Sequence, residues 1–191
     1  ETLPFEVISE NDFLSEAKVR ERSEPKPWDL SSLIYTSGTT GRSKAVMVPW
    51  HHLTSSLQSG MFPRDRLPDM SLYSPYPVFH ITGKAGFYYA AVFGNPSVIR
   101  EAFTPSEFWT DIRTHQANGL VLLGPLAQMM LDQPAQPDDA INPMQTVVMA
   151  PVIPDVEVFC ERFDVEVFTT FNMTEINCPV ISAPSLCTAK N

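Results

Sequence analysis

The run Leu120-Val121-Leu122-Leu123 is continuously apolar, and a predicted helix over Pro125–Leu131 follows it. A run without polar alternation is typical of a parallel strand that is buried on both faces. Outward from this pair, strand-like and helix-like segments alternate along the chain. The other predicted strands are Leu33–Tyr35, Leu72–Tyr76, Ser97–Arg100, Val147–Met149 and Val165–Phe171. The other predicted helices are Pro49–Gly60, Gly83–Phe93, Pro105–His115 and Pro154–Phe163. This alternation predicts an α/β fold, with a mostly parallel sheet flanked by helices.

Composition and charge exclude several classes of protein. Hydrophobic residues make up 43% of the 191 residues, which is enough for a core. No apolar run approaches the roughly 20 residues that a membrane span needs. With 13 basic against 22 acidic residues, the formal net charge is −9, which disfavours nucleic acid as a partner. We therefore expect a small-molecule partner, with no nucleic acid and no membrane span.

The cysteines and the N-terminus favour a cytoplasmic location. Cys160, Cys178 and Cys187 lack the paired spacing of a zinc ribbon or a disulfide framework, so free thiols in a reducing compartment are predicted. Residues 1–10 carry acidic side chains and no apolar h-region, so no signal peptide is predicted. Residues 1–29 are polar and are predicted to form a linker. The ordered domain is predicted to cover residues 30–191.

A loop rich in glycine and hydroxyl groups follows the first predicted strand. It reads Tyr35-Thr36-Ser37-Gly38-Thr39-Thr40-Gly41-Arg42-Ser43-Lys44. Glycines let backbone N–H groups approach an anion, hydroxyls add neutral donors, and Lys44 or Arg42 supplies positive charge. A phosphate group is the natural ligand, although the spacing is not that of a Walker A loop. The alternative from composition alone is a flexible surface loop.

The order of these residues resembles the signature of the adenylate-forming superfamily, which includes acyl-CoA synthetases and peptide-synthetase adenylation domains. The match covers Thr36, Ser37, Gly38, Thr39, Thr40, Gly41 and Lys44. The chain departs from the signature at Ser43, where the family has proline, and at Ala45, where it has glycine. The resemblance implies that the matching residues hold the phosphates of ATP and that Lys44 is catalytic.

A second segment, Pro77-Val78-Phe79-His80-Ile81-Thr82-Gly83, resembles a motif of the acyl-CoA synthetase branch. The resemblance places His80 beside the acyl pocket, in contact with the substrate. The alternative is a histidine that is buried in the core. Phe87, Tyr88 and Tyr89 lie in the following helix, where aromatic residues are more often core than pocket.

A third segment, Thr170-Phe171-Asn172-Met173-Thr174-Glu175, is similar to the family's Gly-Tyr-Gly-Met-Thr-Glu. The resemblance implies that Phe171 stacks on adenine, Asn172 replaces a glycine of the nucleotide site, Thr174 contacts the α-phosphate and Glu175 helps to hold Mg²⁺. The alternative is that this segment has no ligand and is the end of a strand with an exposed acidic side chain.

Two further short features bear on nucleotide binding and on metal binding. Met149-Ala150-Pro151 resembles the family's Gly-Ala-Pro, which implies that Ala150 and Pro151 line the adenine pocket. The pair His51-His52 is predicted to lie in a solvated first helical turn, because adjacent helical residues point in different directions and do not share a metal.

The resemblance implies an acyl-CoA ligase: a carboxylic acid is activated by ATP and Mg²⁺ to an acyl-adenylate and is then transferred to coenzyme A. Within the branch, the chain also resembles crotonobetaine/carnitine-CoA ligases, although more weakly. The alternatives are a nucleotide-binding fragment without turnover, and an adenylation domain that loads a carrier protein. Residues 30–191 are expected to be part of the large N-terminal AMP-binding domain, without the C-terminal lid domain and with weak or absent turnover alone.

Overall fold

The computed structural model describes residues 24–36, 41, 43–59, 61–183 and 185–187. The predicted linker before residue 24 and the loop residues Ser37, Gly38, Thr39 and Thr40 lie outside the described residues. The strands are β1 Leu30–Thr36, β2 Lys44–Pro49, β3 Leu72–Ser74, β4 Ser97–Ile99, β5 Gly119–Leu122, β6 Thr146–Met149, β7 Glu166–Phe168, β8 Thr170–Met173 and β9 Asn177–Ile181. The helices are α1 Trp50–Ser59, α2 Ile81–Phe93, α3 Pro105–His115, α4 Gly124–Leu131 and α5 Val156–Phe163.

The centre of the fold is a five-stranded sheet in the order β4-β3-β5-β6-β7. Every neighbouring pair in it is parallel, with Leu120 opposite Val147 and Val147 opposite Val167. Helices connect successive strands, as right-handed crossovers require. The predicted α/β class, a mostly parallel sheet flanked by helices, is confirmed.

The sheet is buried on both faces, which explains why β5 and β6 are continuously apolar. On one face Leu120, Leu122 and Met149 pack with Phe108 of α3 and Phe159 of α5. The alternate residues point to the other face, because successive side chains of a strand point in opposite directions.

On that second face, Val121 and Val148 pack with Leu57 of α1 and Tyr89 of α2. Phe62, in the connection that follows α1, completes this cluster. The two strands therefore contribute to two separate clusters, one on each side of the sheet. A shift of one residue in the pairing would exchange the two sets of side chains.

Two antiparallel hairpins flank the central sheet, and the sequence did not predict their second strands. β1 pairs with β2, and β8 pairs with β9. The single predicted strand Val165–Phe171 was wrong in its length, since it divides at Thr169 into β7 and β8. β8 leaves the parallel sheet because its partner is the following strand.

The prediction of free thiols is wrong for two of the three cysteines. Cys160 of α5 and Cys187 are joined in a disulfide, whereas Cys178 is free and half-buried. The C-terminal segment reaches α5 because it pairs with β7: Leu186 N donates to the Val167 carbonyl over 2.8 Å. Within the described part of the chain, no helix is long and apolar enough to cross a bilayer.

Arg162 of α5 holds the loop between α4 and β6 through an ion pair and several hydrogen bonds. Its Nε donates to Asp139 Oδ2 over 2.7 Å, and its other nitrogens donate to the carbonyls of Leu131, Gln133 and Pro134. The two side chains of this ion pair are 14% and 9% exposed. Removal of the arginine would therefore leave a buried carboxylate without its partner.

We predict that Arg162→Ala lowers the free energy of unfolding by ~3 kcal/mol. Urea denaturation followed by circular dichroism measures the change. Arg113→Ala is the matched control, because its ion pair with Asp138 is more exposed, at 34% and 56%. The control should change the free energy by about 1 kcal/mol or less. An equal decrease in the free energy of unfolding in both variants would show that the buried Arg162–Asp139 ion pair contributes no more than the exposed one.

Candidate active site at the carboxyl ends of the parallel strands

Three of the predicted site segments follow the carboxyl ends of strands of the central sheet. The His80 segment follows β3, Ala150-Pro151 follows β6, and the Phe171 segment follows β7. Because parallel strands all end at the same edge, these segments lie along one edge of the sheet. This is the edge at which open α/β sheets bind ligands.

The loop after β3 is fixed to β5 by the hydroxyl of Tyr76. This hydroxyl donates to the Val121 carbonyl over 2.9 Å and accepts from Leu123 N over 3.3 Å. Burial raises the pKa of Tyr76 to about 12, so the hydroxyl keeps its proton at neutral pH. The segment that carries His80 is thereby joined to the end of the neighbouring strand.

The second segment turns tightly between Pro77 and Gly83. His80 N donates to the Pro77 carbonyl over 3.0 Å, and Gly83 N donates to the His80 carbonyl over 3.1 Å. A Cβ atom at Gly83 would clash with that same Pro77 carbonyl, so only glycine fits there. His80 itself is exposed and its ring stands 4.7 Å from that of Phe79. The structure thus contradicts the alternative of a core histidine and leaves His80 free to contact a ligand.

Ala150-Pro151 is held between the end of β5 and the start of β8. Ala150 N donates to the Leu122 carbonyl over 3.1 Å, and Thr169 Oγ1 donates to the Met149 carbonyl over 2.7 Å. Gly124, at the start of α4, lies so close to the Pro151 carbonyl that a Cβ atom would clash. Thr169 connects the predicted adenine segment to the third segment.

The third segment is itself a strand, β8, with the turn to β9 at Thr174–Ile176. Phe171 is 57% exposed and lies opposite Val180. Glu175 is exposed in the turn and has no ion pair with any described residue. Both side chains are therefore available to a ligand.

Asn177 ties this turn to α1, a contact that the sequence analysis missed. Its Nδ2 donates to the His52 carbonyl and to Ser55 Oγ, each over 2.8 Å. Asn177 has a φ of 68°, a left-handed conformation that asparagine adopts more readily than most residues. The contact spans 125 residues of sequence, and no local pattern signals it.

The first predicted segment begins and ends on the β1–β2 hairpin. Thr36 and Lys44 lie opposite each other at the end of the hairpin, and Lys44 is exposed. Gly41 has a φ of 140°, which residues with a side chain rarely adopt. The hairpin packs through Ile34 against Leu53 of α1, with Ile81 of α2 beside them. The residue after His80 thus packs against the same small cluster as the hairpin that flanks the predicted phosphate loop.

A small cavity of about 20 Å³ lies between α1, α2 and the β8–β9 hairpin, next to the segment that carries His80. Its lining includes Tyr88, as well as Asn172 and Met173 of the third segment. Of the three consecutive aromatic residues Phe87, Tyr88 and Tyr89 in α2, only Tyr89 is buried in the core, while Phe87 is exposed. Leu53 and Ser56 of α1 and Cys178 of β9 also line this cavity, and no sequence pattern indicates their contribution.

The adjacent histidines behave differently from each other. His51 is exposed, as predicted, but His52 is half-buried with an Nε2 atom that has no hydrogen-bond partner. Burial lowers the pKa of His52. Among the residues that the structure covers, no group of three or more His, Cys, Asp or Glu side chains is placed to hold a metal ion.

Comparison with known proteins places the chain in a family. The sequence model of the AMP-binding enzyme family matches residues 2–190. The medium/long-chain-fatty-acid–CoA ligase FadD17 of Mycobacterium marinum is 33% identical over 161 residues, which cover 83% of this chain and 32% of the relative. The crotonobetaine/carnitine–CoA ligase of Proteus mirabilis is 26% identical over 150 residues, 77% of this chain and 29% of the relative. The chain therefore spans roughly a third of the length of these curated relatives.

Solved structures show the same fold. The N-terminal domain of FACL13 from Mycobacterium tuberculosis superposes with a TM-score of 0.71 at 20% identity, over 87% of this chain and 42% of that one. The O-succinylbenzoate coenzyme A synthetase of Bacillus subtilis, solved with ATP and magnesium ion, has a TM-score of 0.70 at 21% identity, over 91% of this chain and 37% of that one.

We predict that Asn177→Gly loosens the β8–β9 hairpin while keeping its backbone conformation. The variant loses two hydrogen bonds but tolerates the positive φ, so the loss reports the side-chain contact alone. Two bonds worth about 1 kcal/mol each should speed the amide exchange of β8 and β9 roughly 10-fold or more. Hydrogen–deuterium exchange measures this, with the amides of β5 as the internal control. Unchanged exchange in the hairpin would show that the contact with α1 does not hold it.

Proposed function

Because the chain belongs to the AMP-binding enzyme family, we propose that it takes part in the ATP-dependent activation of a carboxylic acid. The product of the first step is an acyl-adenylate, and the product of the second is a thioester with coenzyme A. The observation that carries the proposal is the arrangement of His80, Ala150 and Thr174 along one edge of the parallel sheet.

The proposed nucleotide site lies between β6 and β8. Phe171 offers an exposed aromatic face on which adenine can stack. Ala150 and Pro151 line the other side through their backbone, and the Thr169 hydroxyl fixes their distance from β8. Asn172 replaces the glycine of the resembling motif, and Thr174 contacts the α-phosphate. These assignments follow from the resemblance and are supported by the exposure of Pro151, Phe171 and Asn172.

The proposed phosphate site is the loop between β1 and β2. Thr36 and Lys44 stand at its two ends, and the sequence between them includes Ser37, Gly38, Thr39, Thr40 and Gly41, the residues that match the family signature. Lys44 is exposed and free to pair with a phosphate oxygen. Its charge stabilises the negative charge that accumulates on the departing pyrophosphate.

Glu175 fits a magnesium ion that arrives with ATP. Mg²⁺ keeps several waters and is usually held by one or two carboxylates together with substrate phosphates. An exposed carboxylate in a hairpin turn, without an ion pair among the described residues, meets that requirement. The ion would neutralise phosphate charge when bound.

The chemistry needs positioning more than proton transfer. A carboxylate oxygen attacks the α-phosphorus of ATP and pyrophosphate leaves; the thiol of coenzyme A then attacks the acyl carbonyl and AMP leaves. The carboxylate is already ionised at neutral pH, so His80 is required as a contact for the substrate and not as a general base. The remaining requirement is in-line geometry, which the shared strand edge supplies.

Several finer points stay predictions. The thiol acceptor is proposed to be coenzyme A, with a carrier protein as the alternative, and the cytoplasmic location and the boundary at residue 30 are untested. A nucleotide-binding unit without turnover would bind Mg·ATP but would release no pyrophosphate when a carboxylic acid is added. Calorimetry and a pyrophosphate-release assay on the same preparation distinguish the two.

We predict that Lys44→Ala weakens the binding of Mg·ATP about 10- to 100-fold, which corresponds to the loss of one charge-assisted hydrogen bond. Isothermal titration calorimetry measures the Kd. Lys26→Ala is the matched control, because Lys26 is also exposed but lies over the ring of Trp28, away from the predicted loop. An unchanged Kd in Lys44→Ala would mean that the loop resembles the family signature by chance.

We predict that Glu175→Gln reduces Mg²⁺-dependent pyrophosphate release at least 10-fold and leaves the Tm unchanged. The side chain is exposed and unpaired among the described residues, so its neutralisation should affect only the ion. Glu157→Gln, at an exposed position on α5, is the control and should affect neither quantity. A parallel fall of activity and Tm would show that Glu175 is structural.

A further inference from the structure

The proposed function makes no use of the disulfide between Cys160 of α5 and Cys187. We propose that these two cysteines form a reversible thiol–disulfide exchange site, which a dithiol reductant opens and which, while closed, holds the β8–β9 hairpin in place for the nucleotide. In the cytoplasm, the proposed location, the disulfides that do form are usually transient and have a catalytic or redox-sensing role. The effect on nucleotide binding rests on the proposed function, whereas the exchange site itself does not.

The two sulfur atoms differ in their access to solvent. Cys160 is 2% exposed and belongs to the same core cluster as Phe159 and Phe163. Cys187 is half-buried and packs against that cluster from outside. A reductant therefore reaches the sulfur of Cys187 and not that of Cys160.

Opening of the site transfers two electrons and two protons from the dithiol to the cysteines. A thiolate of the reductant attacks Cys187 Sγ, the S–S bond breaks, and the electron pair leaves on Cys160 Sγ, which takes up a proton. The second thiolate of the reductant then attacks the mixed disulfide and releases Cys187 as a thiol, so the reductant leaves as its own disulfide. A protonated cysteine behaves as a small apolar side chain, and the core around Cys160 therefore tolerates the open state.

The closed site attaches the C-terminal segment, residues 185–187, to the outer edge of β7. Leu186 N donates to the Val167 carbonyl over 2.8 Å, and Val167 N donates to the Cys187 carbonyl over 3.3 Å. Leu186 is 42% exposed, so its side chain adds little apolar burial. The covalent bond is therefore the strongest attachment of this segment, and opening it allows the segment to leave β7.

The β8–β9 hairpin lies within the loop that the disulfide closes. The two cysteines are 27 positions apart, and β7, β8 and β9 all lie between them. A cross-link restricts the conformations of the loop that it closes. Opening the disulfide therefore removes a restraint from the hairpin that carries the proposed ligand contacts Phe171 and Glu175.

Hydrogen bonds continue from the C-terminal segment to the proposed adenine segment. Ser182 N donates to the Thr169 carbonyl over 2.8 Å, and Thr169 N donates to Ser182 Oγ over 2.9 Å. Thr169 Oγ1 donates to the carbonyl of Met149, the residue before Ala150. A segment with two arrangements, paired with β7 or released, is the kind of element through which one site affects another. We therefore expect the open state to bind the nucleotide more weakly.

Alkylation of thiols in denaturant tests whether the site is closed in the 191-residue chain. Without reductant, Cys178 should be modified, whereas Cys160 and Cys187 should be protected. After treatment with dithiothreitol, all three cysteines should be modified. Removal of dithiothreitol and addition of oxidised glutathione should restore the protection of Cys160 and Cys187. Peptide mass spectrometry identifies the modified residues.

Hydrogen–deuterium exchange measures what opening changes in the fold. Dithiothreitol should speed the exchange of the Val167, Thr169 and Leu186 amides at least about 10-fold, because their hydrogen bonds involve the C-terminal segment or Ser182. The amides of β5 are the internal control and should not change. Cys187→Ser cannot form the disulfide, so its exchange should be fast with and without dithiothreitol. The measurements on the wild-type chain decide the question by themselves if this variant does not fold.

Calorimetry with Mg·ATP measures the effect on the nucleotide site. Dithiothreitol should raise the Kd of the wild-type chain at least about 5-fold, the lower end of typical coupling between two sites. Cys187→Ser should bind as weakly as the reduced wild-type chain, and dithiothreitol should not change its Kd further.

The outcomes separate this inference from the proposed function. Three results would each overturn the inference and leave the proposed function standing: alkylation of all three cysteines without reductant, exchange rates that dithiothreitol does not change, or a Kd for Mg·ATP that dithiothreitol does not change. Failure to bind Mg·ATP in either redox state would contradict the proposed function, while alkylation and the exchange rates would still decide whether the exchange site exists.

Discussion

The parallel pairing of β3, β5, β6 and β7 is the constraint on which the rest of the structure depends. It brings the ends of strands that are far apart in sequence to a single edge. His80 and Thr174 are separated by more than ninety residues, yet both follow strands that end there. The register is specified strongly, because β5 and β6 bury side chains on both faces and cannot slip without exchanging the two sets.

At this edge the backbone leaves the sheet and its carbonyls lose their strand partners. Side-chain hydroxyl groups replace those partners: Tyr76 donates to the Val121 carbonyl, and Thr169 donates to the Met149 carbonyl. These groups fix the loops from within the protein. The side chains proposed to contact ligand, such as Phe171 and Glu175, remain exposed on the outer side. Rigid support and free ligand-facing groups therefore come from different residues.

The sequence predicted those parts of the fold that depend on local chemistry. The continuous apolar run at Leu120–Leu123 indicated a strand buried on both faces, and the structure confirms the parallel sheet. The segments around His80 and Thr174 were found because glycine, proline and hydroxyl residues stand at fixed offsets within a few positions. Their placement at one edge then followed from the order of the strands.

What the sequence did not predict depends on contacts between distant segments. β7 ends at Phe168 because β8 pairs with β9, and Asn177 contacts α1 across 125 residues of sequence. The disulfide between Cys160 and Cys187 depends on the pairing of the C-terminal segment with β7. None of these partners is encoded in a local period or spacing, so a single sequence offers no signal for them.

The central claim is that the carboxyl edge of the sheet binds the nucleotide. Photolabelling with an azido derivative of ATP, followed by mass spectrometry of the peptides, tests it most directly. We expect excess ATP to suppress labelling and the label to lie in the segments around Ala150 and Phe171. Labelling at the opposite edge, in the polar cavity of about 140 Å³ that Arg66, Asn118 and Gln145 line, would show that the nucleotide binds elsewhere.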